Sequence, residues 1–155
     1  PDFYSSNLIK RNTNKRGVVV NKFVGSELSH NTTTLNDLSS MLNLKPSVIK
    51  MDIEGFEVEA LQGGWDIIRN LRPQIFLEIH PKFIHKRNPE AFERLVNELF
   101  KLYNMEYVRN HWGQIKGEET FQNEWEKATP DIIFKIASEI IFDDQKPNAF
   151  ALHCF

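Results

Sequence analysis

The feature that most limits what this chain can become is the stretch Val48 to Gly64, VIKMDIEGFEVEALQGG. An apolar run closes on Asp52, a turn built on Gly55 carries Glu54 and Glu57, and Val58, Leu61, Trp65 and Ile68 then recur at helical spacing. A buried strand running through a tight turn into a helix is the elementary unit of an α/β layer. Gly63-Gly64 interrupts the helical period, so a C-cap or kink is expected there.

The rest of the chain repeats this alternation. Gly17 to Phe23, GVVVNKF, is β-branched and reads as a strand, followed by loop over SELSHN. Thr34 with Asp37 three positions on is a capping pair, and Leu35, Leu38 and Leu42 follow at helical spacing until Lys45-Pro46. SVIKMD reads as a strand, and so does the near-continuous apolar run PQIFLEIH, Pro73 to His80, which predicts burial on both faces and a stop at Pro81. Asn88-Pro89 opens an amphipathic helix that turns Phe92, Leu95, Val96, Leu99, Leu102 and Tyr103 inward. MEYVRNHW is read as a strand, residues 112–128 as an inserted loop, and Thr129-Pro130-Asp131 as the start of a helix with Ile132, Ile133, Ile136 and Ile140 inward, a strand being the alternative for so Ile-rich a run. AFALHCF closes as a last strand. The expectation is one α/β domain over residues 1–155 with a mostly parallel sheet and an antiparallel C-terminal strand pair.

Composition narrows the functions. With 155 residues, 41% hydrophobic, the chain can bury a core, and a net charge of -2 with no Lys/Arg stripe gives no field for a phosphate backbone, so no nucleic acid is expected. One cysteine, Cys154, excludes an internal disulfide. There is no apolar run long enough for a membrane span and no secretory signal, which makes cytoplasmic the default and the Asn31-Thr32-Thr33 acceptor pattern a chance match. The chain begins at Pro1, and is read as part of a longer or processed protein.

In an open α/β sheet, ligands bind beyond the carboxyl ends of the strands. Asp52 closes one strand; Glu78 and His80 close another, two apart and so on one face. If those strands are neighbours, Asp52, Glu54, Glu78 and His80 share a crevice. Such a set suits proton transfer, or a divalent metal on Asp52, Glu78 and His80. The alternative is structural: Asp52 and Glu54 accept backbone amides at a helix N-terminus, Glu57 caps or lies in solvent, and His80 merely packs.

VIKMDIEGFEVEALQGG resembles the IKiDvEGaEleVLkGa signature of the FkbM-type methyltransferases; TTLNDL and RPQIFLEIHP resemble flanking segments of that family, the likeness running from about Thr32 to Pro81. The resemblance implies a Rossmann-like class I fold in which SVIKMD and PQIFLEIH are the fourth and fifth of seven strands, and MEYVRNHW and AFALHCF the closing antiparallel pair. It implies S-adenosylmethionine as cofactor, with Asp52 facing its sulfonium, and methyl transfer to a hydroxyl of a sugar, lipid or secondary metabolite, hence a small-molecule or glycan partner. His80 would be the base, with Glu54 and Glu78 orienting it or holding a cation. Trp112 and Trp125 are candidates for stacking on a sugar ring, with core packing as the alternative. None of the seven glycines forms a glycine-rich strand-to-helix turn near the start, so the chain reads as the C-terminal part of such a domain, with a sheet edge open to dimerisation. A truncated, non-catalytic binding module is the alternative, and a metal-dependent hydrolase a third, without any H-E-x-x-H pattern.

Overall fold

The computed structural model describes residues 17–109, 124–143 and 148–155. In chain order these form β1 (Phe23–Val24), β2 (Thr32–Thr33), α1 (Leu35–Met41), β3 (Val48–Met51), α2 (Glu57–Gln62), α3 (Trp65–Leu71), β4 (Gln74–Ile79), α4 (Pro81–Arg87), α5 (Pro89–Leu102), β5 (Met105–Val108), β6 (Glu126–Lys127), α6 (Pro130–Phe142) and β7 (Phe150–Cys154). The five-stranded sheet has the order β3-β4-β7-β5-β6, and β1 with β2 makes a separate parallel pair.

The sheet is mixed, and this corrects the mostly parallel expectation. β3 and β4 run parallel, but β7 inserts antiparallel between β4 and β5, and β6 is antiparallel to β5. Strands β3, β4 and β5 therefore share a direction while only one adjacent pair in the sheet is parallel. MEYVRNHW and AFALHCF do pair antiparallel, as β5 and β7. The MEYVRNHW strand ends at Val108, and of residues 112–128 only 124–128 are described, with β6 inside them.

β4 alternates, with Ile75, Leu77 and Ile79 buried and Phe76 and Glu78 half-buried. It is thus not sealed equally on both faces. The buried face joins Met105, Tyr107, Phe150, Leu152 and Cys154 with Leu61, Leu95, Val96, Leu99, Ile133, Ile136 and Ile140 of the helices in one core. Burying a Leu, Ile or Val side chain contributes about 1.5–3 kcal/mol, which is what holds six-residue α2 in place through Val58 and Leu61, since so short a helix is marginal alone.

Capping follows the sequence. Thr34 Oγ1 accepts from Asp37 N and donates to the Asp37 carboxylate, Asn88 accepts from Ala91 N, and Thr129 from Ile132 N. The helix read from Gly55 onward is two helices: Gly63 caps α2 and Gly64 begins α3. A Cβ on Gly63 would lie 2.1 Å from the Gly25 carbonyl oxygen, and one on Gly64 2.8 Å from Leu35, so this elbow is where β1 and α1 dock. Gly63 O accepts from Asn36 N at 3.0 Å, and Asn36 also reaches Asp66 and Ile67.

Two expectations fail locally. Gly17 to Phe23 is not a strand; among the described residues only Phe23–Val24 pairs, with Thr32–Thr33, and Val18 is exposed. Pro81 does not merely stop a strand but begins α4 at its first position, where its missing N–H and fixed φ suit a helix.

Candidate functional site

β3 and β4 are in register, Val48 to Met51 against Gln74 to Leu77, so Asp52 and the Glu78–His80 pair emerge from the same end of adjacent strands. The backbone after β3 then turns sharply. Glu54 sits at φ 55 and Gly55 at φ 95, both left-handed, a conformation that costs a residue with a Cβ about 1–2 kcal/mol. What holds the turn is Glu57: its Oε1 accepts from Ile53 N at 3.4 Å and Gly55 N at 3.1 Å, gathering the amides on either side of Glu54.

The same oxygen reaches His80 Nδ1 at 3.0 Å. Glu57 is fully buried, so it neither lies in solvent nor serves only as a cap, and its Oε2 has no hydrogen-bond partner among the described residues. A carboxylate accepting from Nδ1–H fixes the neutral imidazole as the tautomer with its lone pair on Nε2. That nitrogen faces Glu54 Oε2 and Glu78 Oε1, each at 3.7 Å. Burial pulls the His80 pKa down, but the Glu57 hydrogen bond and the charges of Glu57, Glu54 and Glu78 outweigh it, leaving a net rise above 6.5.

Asp52 stands at the rim, paired at 3.5 Å with the exposed Lys50. One donor atom from each of Asp52, Glu54 and His80 lies within 4.8 Å of the others. Two carboxylates and one imidazole within that span form a three-ligand set that suits a hard or borderline divalent ion. The structure therefore brings all four sequence-derived residues to one corner, with Glu54 alongside Asp52 and His80 in the set where the sequence reading placed Glu78.

Sequence reasoning missed the clasp behind this corner. Phe83 of α4 lies against the Gly55 backbone, where a Cβ would fall 2.3 Å from its own. Arg87 stacks 3.8 Å over the Phe56 ring and donates to Glu59 at 2.9 and 3.2 Å. With His80 at its N-cap, α4 grips the turn at both ends. The spacing of Phe83 and Arg87 behind a proline was the available signal. Trp125 packs edge-on to His153, on the row that includes Phe76, while Trp112 lies outside the described residues. Among the described residues no helix is long and apolar enough to cross a membrane.

Comparison with known proteins adds one finding: the sequence profile of the methyltransferase FkbM domain matches residues 3–109. No curated protein and no solved structure matches the chain.

Proposed function

The chain belongs to the FkbM methyltransferase family, and we propose that it serves methyl transfer from S-adenosylmethionine to a hydroxyl oxygen of a small-molecule or glycan acceptor, on a Rossmann-like sheet. The observation that carries this reading is His80, whose Nδ1 is held by the buried Glu57 while Nε2 points into the acidic corner. When bound, the cofactor supplies an electrophilic methyl group on a sulfonium cation. The corner fits that charge, since Asp52, Glu54 and Glu78 present carboxylates at the strand ends. No glycine-rich strand-to-helix turn occurs among the described residues, so no contact to the nucleoside part is assigned.

The chain's own groups have defined tasks in this scheme. With the cofactor supplying the methyl group, the acceptor hydroxyl would give up its proton to His80 Nε2. Glu57 stabilises the imidazolium that results, and Glu54 and Glu78 flank it. Asp52 at the rim orients the cationic donor and the acceptor; alignment and exclusion of water supply most of the acceleration in such an in-line displacement. A second reading rests on the Asp52, Glu54 and His80 donor set: a divalent cation bound through Nε2 would lower the acceptor hydroxyl's pKa directly, and His80 would then act as ligand, not base.

The experiment is methyl transfer from labelled S-adenosylmethionine to hydroxylated acceptors, with and without a chelator. Retained transfer in chelator supports His80 as base, and loss restored by Mg²⁺ or Mn²⁺ supports the cation. Absence of both transfer and calorimetric binding of the cofactor would overturn the enzymatic reading and leave a non-catalytic binding module.

A further inference from the structure

Away from the acidic corner, helices α4, α5 and α6 leave a gap between them. Each turns one helical stripe toward it: Pro81, Ile84 and His85 from α4, Pro89, Phe92 and Glu93 from α5, and Phe134, Ala137, Ser138, Ile141 and Phe142 from α6. The α6 stripe follows the spacing i, i+3, i+4, i+7, i+8, so one face of that helix forms a whole wall. The small side chains of that wall are the buried Ala137 and the exposed Ser138 at its rim. Ile133, Ile136 and Ile140 of the same helix are buried in the neighbouring core.

The cavity measures about 320 Å³, the lower end of the roughly 300–1,000 Å³ of small-molecule sites, and a stable protein partner needs a far larger contact, on the order of 1,000 Å². Its walls are mostly carbon. Phe92 and Phe134 meet edge to face at 6.4 Å along its floor, and Phe142, 81% exposed, stands at the rim beside His85. Polar groups are confined to His85, Glu93 and Ser138, too few to bind a sugar ring through its hydroxyls. Such a lining takes hydrocarbon.

Its α4 wall follows the acidic corner's His80 along the chain. Pro81, a wall residue, directly follows His80, and the three α4 wall residues lie within about one and a half helical turns of it. Lys82 Nζ donates to the Asp143 carbonyl oxygen at 3.5 Å, linking the end of α6 to the first turn of α4. We propose that this groove holds an alkyl chain of the methyl acceptor, so that the acceptor is an amphiphile whose hydroxylated head reaches His80 while its tail lies between α4, α5 and α6. The inference rests on the methyl-transfer reading for what the head does; the tail site stands on the groove.

The test is titration of the ¹⁵N-labelled chain with n-octyl glucoside below its micelle concentration, with glucose as control and without S-adenosylmethionine. Saturable shifts of the Ile84, Ala137 and Ile141 amides are expected with octyl glucoside and not with glucose. Ser138→Trp, at an exposed rim position, should weaken binding at least tenfold with the melting temperature unchanged; Ala137→Leu, which narrows the gap from inside, should weaken it as well. Equal response to glucose would overturn the proposal, as would an octyl glucoside response that Ser138→Trp leaves intact. A wild-type dimer that Ser138→Trp converts to monomer would also overturn it, by making the groove a self-association surface. Because binding is read without the cofactor, a null result leaves methyl transfer to a wholly polar acceptor standing, and failure of methyl transfer leaves chain binding to be observed.

Discussion

The two ends of helix α2 are both marked by glycine, and for different physical reasons. At its start, Gly55 is needed for conformation as well as space, with φ 95 and Phe83 pressed against its backbone. At its end, Gly63 and Gly64 have φ values of -69 and -110 that any residue adopts, and are needed only because Gly25 and Leu35 approach too closely for a Cβ. The first end is bent to hold carboxylates around an imidazole; the second is flattened to dock one part of the fold on another. A strained turn held by a buried carboxylate is where chemistry can reside, whereas a close-packed elbow is scaffold.

The sharpest way to break that contrast is Glu57→Ala. It removes the acceptor for Ile53 N, Gly55 N and His80 Nδ1 together, and breaking a buried ionic hydrogen-bonded pair costs about 3–5 kcal/mol. Chemical denaturation should show that loss; Glu57→Gln, which keeps the shape, should lose less. A change under about 1 kcal/mol for Glu57→Ala would mean the turn is held by α4 alone.

Next comes Gly63→Ala, whose Cβ meets a backbone oxygen that cannot swing away; about 3 kcal/mol is expected, near the upper end of overpacking costs. Gly55→Ala combines the left-handed cost with the Phe83 clash and should fall at about 2–3 kcal/mol, but only it should disturb the His80 ring resonances. Equal disturbance of His80 by both variants would erase the distinction between the two ends.

The pH dependence separates stability from activity at the first end. The folded pKa of His80 lies above 6.5, so the fold favours the protonated ring. Its stabilising contribution is present in full below the unfolded value of about 6.5 and is lost as pH rises through the folded one. Base catalysis needs Nε2 free, so methyl transfer should rise over the range in which stability falls. Melting temperatures and rates across pH 6–9 check this, and His80→Gln should flatten the stability profile.

The smallest stability effect belongs to Asp52→Asn. Its one ion pair among the described residues is to an exposed lysine, a contact contributing at most about 0.5–1 kcal/mol. Methyl transfer should nevertheless fall about 100-fold or more. Unfolding by this variant would identify Asp52 as a structural cap.

Much of this contrast was legible in the chain. Alternation and caps placed α1, α5, α6, β3, β4, β5 and β7, because N-cap residues such as Thr34, Asn88 and Thr129 act locally. Gly63-Gly64 announced a break, though not that Gly25 would lie against it, since that contact joins residues far apart in sequence. The crowding of Asp52, Glu54, Glu78 and His80 needed only the adjacency of two strands. Glu57 was hidden, because nothing local distinguishes a solvated helix-start glutamate from one buried by a helix 24 residues later. The position of β7 was hidden too, since strand order is settled by packing and not by period.

The measurement that bears most directly on the central claim is the tautomer of His80, read from ¹⁵N long-range correlations of its ring above its folded pKa. Orientation by Glu57 predicts the proton on Nδ1 and a lone pair on Nε2, with that preference lost in Glu57→Ala. A proton on Nε2, or a tautomer indifferent to Glu57, would contradict it and return the acidic corner to a set of caps around a packed ring.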